Sequence, residues 1–103
     1  MQVRVDNKRR KFILFYASRK ISYMAFLLLK KYSDIKYIIG INTYYTNAWQ
    51  KISVRSRDEN EFDCLWLEGT GGHKCAAGME CELEFSKKLW SGEIKQLEYK
   101  KEE

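Results

Sequence analysis

A chain of 103 residues is the size of one folding unit, because a single core typically serves roughly 100–150 residues. Hydrophobic residues make up 45% and charged residues 32%, with no proline, which excludes a disordered chain, a membranous one and any proline-rich linker. The net charge of +5 is polarised, with 13 basic and 2 acidic residues up to Arg57 but 6 basic and 12 acidic from Asp58 onward; the first half therefore calls for an acidic partner, either nucleic acid or an acidic protein surface.

In chain order, Val3–Val5 and Lys11–Ala17 read as two strands around an Asp6-Asn7 turn, with the basic run Lys8, Arg9, Arg10 and Lys11 at the bend. Ser18 is the expected N-cap of a helix reaching Tyr32 or Ser33. Ile21, Met24, Ala25, Leu28 and Tyr32 keep helical spacing, and Phe26, Leu27 and Leu29 widen the stripe nearly all round. Such a helix needs cover on more than one side, by a curved sheet or by a second subunit in a homodimer. The pattern then changes to period two, giving strands at 36–45, 49–57, 62–68, 79–86 and 93–100 joined by hairpin-length connections. The expected fold class is α+β, one domain over residues 1–103. A single helix packs on a curved antiparallel sheet of about five to seven strands, ordered as an N-terminal hairpin, the helix and then an antiparallel meander.

Register decides which side chains share a face. With Thr46-Asn47 as a two-residue loop, Ile38 pairs with Arg55 and Asn42 with Lys51. One face then carries Tyr37, Ile39, Ile41, Ile52 and Val54 and is apolar enough to cover the helix. The other carries Ile38, Gly40, Asn42, Tyr44, Trp49, Lys51, Ser53, Arg55 and Arg57. Pairing Arg57 with Phe62 would add Phe62, Cys64 and Trp66 to this second face. Tyr44, Trp49 and Trp66 would then offer stacking surfaces for unpaired bases, worth about 1–3 kcal/mol each, with Lys51, Arg55 and Arg57 drawing phosphates. The turn Lys8–Lys11 would extend the basic patch. A plainer arrangement puts the aromatics in a second core with the cationic stems lying along their rings.

Glu80, Glu82 and Glu84 alternate with Cys81, Leu83 and Phe85, so glutamates line one face of a strand. Cys64, His73, Cys75 and Cys81, spaced C-x8-H-x-C-x5-C, make a zinc candidate set. The set lacks two-residue knuckles, and buried small hydrophobes explain Cys64 and Cys81 as well. An odd number of cysteines argues against a disulfide framework. The apolar run 12–17 is too short for a signal-peptide core, and Lys30 and Lys31 close 23–29 far short of the roughly 20 residues of a membrane span. The expectation is a cytoplasmic protein in a reducing compartment, without membrane attachment or cofactor.

The leading functional expectation is a small non-enzymatic protein that binds nucleic acid, single-stranded or RNA, through the basic aromatic face. The alternative is a viral or mobile-element protein that docks on and inhibits a host protein, suggested by size, charge polarity, AT-rich residue usage and enrichment in aromatics and Arg. A zinc module is a more distant alternative.

Overall fold

The computed structural model describes residues 1–42 and 49–100. Strands β1 (Gln2–Val5) and β2 (Lys11–Ala17) form the N-terminal hairpin. Helix α1 (Ile21–Lys31) follows, and then strands β3 (Ile35–Asn42) and β4 (Trp49–Ser56). A 3-10 turn at Cys64–Trp66 leads to the short strand β5 (Gly71–His73), strand β6 (Ala76–Glu82) and helix α2 (Leu83–Ser91). The six strands form one sheet in the order β1-β2-β3-β4-β6-β5. No helix among the described residues is long and apolar enough to cross a membrane.

The class is α+β, with three corrections to the expected layout. First, the sheet is mixed: β2 and β3 pair in parallel across α1, while the other neighbours are antiparallel. Strands this close in sequence but parallel need a crossover, and α1 supplies it. Second, the described residues form two helices. The alternation Glu80–Phe85 ends at Glu82, where Ser86, Leu89 and Trp90 impose helical spacing instead. Glu84 lies in the first turn of α2, Lys88 in the last, and Gly92 closes it at φ 89°, which matches the helix dipole and the usual glycine terminus. Third, 62–68 is no strand, because the Asp63 carboxylate accepts from the Leu65 amide and caps the 3-10 turn. A short acidic side chain there offers the backbone an alternative to a ladder. The 93–100 segment makes only a single bridge, Leu67 to Tyr99. At the start of α1 the residue before the helix is Lys20, in a left-handed conformation with no side-chain cap, so Ser18 is not the cap.

The β3–β4 register is the expected one, with Ile38 opposite Arg55 and Asn42 opposite Lys51. Both faces of the sheet are used, but the helix sits on the face opposite to the one expected. Helix α1 buries Ile21, Ala25 and Leu29 against Ile13, Phe15 and Ile38. Gly40 makes this possible: a Cβ there would lie 2.7 Å from Ile21 Cγ2 and 3.3 Å from the Phe15 ring. The strongly apolar face carries Phe12, Leu14, Tyr37, Ile39, Ile41, Ile52 and Val54. It is covered by Phe62, Cys64 and Leu67 of the connection, by Leu89 of α2 and by Leu97 of the C-terminal segment. The Tyr37 ring stacks on Phe12 at 4.9 Å and on Phe62 at 3.9 Å.

Candidate nucleic-acid interface

Helix α1 packs over β3 and reaches β4, where Ser22 meets Arg55, and no helix covers the β6–β5 side of that face among the described residues. Paired residues project to the same side of a sheet, so the register defines three rows across that open half. Arg55, Ala76 and His73 form the first row, Ser53, Gly78 and Gly71 the second, and Lys51 and Glu80 the third. Trp49 opposite Glu82 closes the array at the end of the strands. The middle row has only small side chains, one outer row carries Arg55 and His73, and the other sets Lys51 beside Glu80. The result is a trough of about 410 Å³ with Ser53, Gly71 and Gly78 along its middle, Arg55 on one side and Lys51 with the Glu80 carboxylate on the other. Four residues of strand separate Lys51 from Arg55, or about 13 Å.

Each wall is positioned by its neighbours. The Arg55 guanidinium donates from Nε to Ser22 Oγ at 3.1 Å and from Nη1 to the carbonyls of Ala77 at 3.0 Å and Val54 at 2.9 Å. Its Nη2 has no partner among the described residues, so a held guanidinium keeps one donor edge available. Lys51 passes over Gly78, with Cε 3.6 Å from where a Cβ would stand. Lys51 and Glu80 are strand partners, yet no ion pair joins them among the described residues. Among the described residues the outer edge of β5 pairs with no further strand, so backbone donors are within reach of a ligand lying on the glycines.

The structure brings together only part of the expected platform. Lys51, Arg55 and Trp49 share the open face, and Trp49 is half exposed. Tyr44 lies outside the described residues. Trp66 is on the other side of the sheet. It meets Phe62 edge-to-face at 5.4 Å, and the Arg10 guanidinium lies 5.1 Å from its ring. Phe62 is fully buried in the Tyr37 stack, so among the described residues the aromatic platform reduces to Trp49. Arg57 is committed to α1: Nε donates to the Leu29 carbonyl, Nη2 to the carbonyls of Leu29, Tyr32 and Ile35, and Nη1 to Glu61. Such a residue serves the orphan carbonyls at a helix C-terminus.

The turn at Lys8–Lys11 does not extend the trough, since it lies at the β1–β2 edge and the trough at the β5 edge. Lys8 stands over the Tyr99 ring, Arg10 over Phe62 and Trp66, and Lys11 pairs with Asp34 at 3.1 Å. Arg9 is exposed in a left-handed conformation. Asp6 fixes this turn. Its carboxylate accepts from the Lys8 and Arg10 amides and from the hydroxyls of Tyr37, at 2.7 Å, and Tyr99.

The four zinc candidates do not converge. His73 is exposed on the trough face, while Cys64 and Cys81 are buried on the opposite one. No group of three or more potential metal ligands forms among the described residues. Burial pushes both the Cys64 and Cys81 thiols up, as expected of small core residues. His73 belongs instead with Arg55, one row position beyond Ala76. The sequence signal that could have placed it was the run Gly71-Gly72-His73 two residues before Ala76-Ala77-Gly78, two small-residue stretches able to pair as a hairpin.

The chain matches no family model and no curated protein. Among solved structures it is similar to a Helicobacter pylori G27 protein described as uncharacterized, with a TM-score of 0.57 and 24% sequence identity over 75% of this chain. The match spans 21% of that longer chain, so the likeness is one of fold, to about a fifth of a larger protein.

Proposed function

We propose that this protein is a binding module for single-stranded nucleic acid, which lies across the open half of the sheet with its backbone in the trough. The observation that carries this reading is the pairing of a floor of small residues, Ser53-Gly78-Gly71, with walls bearing Arg55 on one side and Lys51 beside Glu80 on the other, so that Arg55 and Lys51 are the groups offered to phosphates. A phosphodiester backbone needs close approach to the protein and cations on its flanks. The glycine row permits the approach, and the walls supply the charge. Trp49 at the end of the array offers a face for one base. A double helix is too broad for a trough of this size, whereas an unpaired strand presents phosphates and bases separately.

Fluorescence anisotropy with labelled oligo-dT and oligo-U at two salt concentrations tests the reading. Arg55→Ala and Lys51→Ala are each expected to weaken binding and to lower the slope of log K against log salt by about 0.7, the single-strand value per phosphate contact. Binding that is independent of salt, or equally strong in the double variant, would overturn it.

A further inference from the structure

We propose a second site, a docking groove for an acidic peptide with a bulky apolar anchor, between the flank of α1 and strand β4. The groove has a volume of about 400 Å³, with Phe26 and Leu29 as its apolar wall and Ser22, Lys30, Arg55, Ser56 and Arg57 completing its lining. No acidic side chain is among the described residues lining it. The outer surface of α1 continues the same chemistry: Tyr23 is 61% exposed, Phe26 58% and Leu27 45%. The segment 18–33 contains Arg19, Lys20, Lys30 and Lys31 and no Asp or Glu. Contiguous exposed apolar residues rimmed by polar ones mark interaction surfaces.

Charge and shape together select the occupant. Four cations with no acid make self-association of this surface repulsive, which disfavours a second copy seated on the same patch. A lipid surface takes up protruding apolar groups, whereas this feature is concave and sized for a side chain. An acidic peptide satisfies both properties, with its carboxylates meeting Lys30 and the cations at the end of α1 and one Leu- or Phe-sized side chain resting against Phe26 and Leu29. The groove shares Arg55 with the trough but does not depend on it, because its apolar wall comes from α1 alone.

The test pans a phage-displayed random dodecapeptide library on the folded protein, with counter-selection on Phe26→Asp. The expected consensus carries Asp or Glu flanking a bulky apolar residue. A synthetic consensus peptide should bind the wild-type protein and lose roughly tenfold or more in affinity to both Phe26→Asp and Lys30→Glu. These exposed positions keep the thermal midpoint near that of the wild type, which reports that the fold is intact. Selected sequences without an acidic bias, or equal affinity for both variants, would overturn the proposal. So would Phe26-dependent binding to phosphatidylserine vesicles without peptide binding, or a Phe26-dependent dimer in sedimentation. Oligo-dT binding measured on the same two variants should be unchanged, which separates this site from the trough.

Discussion

Gly71 faces Gly78 at the outer edge of the sheet, and a Cβ added to Gly71 would meet no atom within 4 Å. The floor of the trough can therefore be filled without disturbing the fold. Gly71 does not use the left-handed region, unlike its neighbour Gly72 at φ 127°, so a larger residue costs no backbone strain there. Gly71→Leu is expected to keep the wild-type thermal midpoint within about 2 °C, or gain slightly from reduced chain entropy. It should also lose oligonucleotide binding by roughly tenfold or more, because the side chain occupies the path of the backbone. Unchanged affinity in a folded Gly71→Leu variant would show that the ligand does not lie on the glycines.

Half of that trough was legible in the sequence. The β3–β4 register followed from alternation and hairpin length, and it put Lys51, Ser53 and Arg55 on one face correctly. His73, Gly71 and Gly78 were missed because a glycine strand has no hydrophobic period to read; its pairing comes from the tight Lys74-Cys75 turn and the small residues opposite. Phe62 and Trp66 were misplaced because alternation continues through Asp63, and only the local capping by its carboxylate breaks the strand. The position of α1 depends on a close approach at Gly40, a tertiary fact that periodicity does not encode. Arg57 looked identical to Arg55 in sequence, and their separate tasks emerge only where the end of α1 comes down beside β4.

Arg57 carries a structural prediction for that reason. Its guanidinium answers three carbonyls, from Leu29, Tyr32 and Ile35, and also Glu61. Arg57→Ala leaves those acceptors to partial hydration and is expected to cost about 2–3 kcal/mol, given that hydrogen bonds to charged groups contribute roughly 1.5–3 kcal/mol each and this side chain is partly exposed. Arg57→Lys should recover little, because an ammonium cannot span the same fork. Urea denaturation reads the effect as a lower midpoint at constant slope. A loss under about 0.5 kcal/mol, typical of an ordinary surface position, would refute the capping role.

The pH range of stability follows from the Asp6 cluster. Burial raises the Asp6 carboxyl, but hydrogen bonds from Tyr99, the Arg10 amide, Tyr37 and the Lys8 amide outweigh it and hold the group below its ordinary 3.8. The stability it contributes is therefore present above about pH 4 and lost as pH falls through its lowered value. The tyrosines act at the other end. Burial, then the Asp6 hydrogen bond, pushes Tyr99 from 10.0 up to about 12, and burial raises Tyr37 as well. The contribution of Tyr99 is whole below pH 10 and lost as pH rises through about 12, and Tyr37, raised further by its deeper burial, acts in the same direction. Thermal midpoints against pH should show a plateau between these limits. Asp6→Asn should flatten the acid side and Tyr99→Phe soften the alkaline one. An acid limb as steep in Asp6→Asn as in the wild type would assign acid lability to other carboxyls.

Trp49 and Trp66, joined on one platform by sequence alternation, should now separate experimentally. Trp49 is 51% exposed on the trough face. Trp66 is held between the Phe62 edge and the Arg10 guanidinium on the opposite side. Trp49→Ala is expected to reduce oligonucleotide affinity by the worth of one stacked base, about 1–3 kcal/mol, while leaving the unfolding midpoint nearly unchanged. Trp66→Ala removes a ring contact and a cation–π partner, so it should lower stability by about 1–3 kcal/mol and leave affinity and its salt dependence intact. Intrinsic fluorescence supplies an independent readout: bound oligonucleotide should quench the Trp49 emission, and the quenching should vanish in Trp49→Ala but persist in Trp66→Ala. Quenching that instead disappears with Trp66 would place the ligand on the far side of the sheet, against Arg10 and the basic turn, and away from the glycine row.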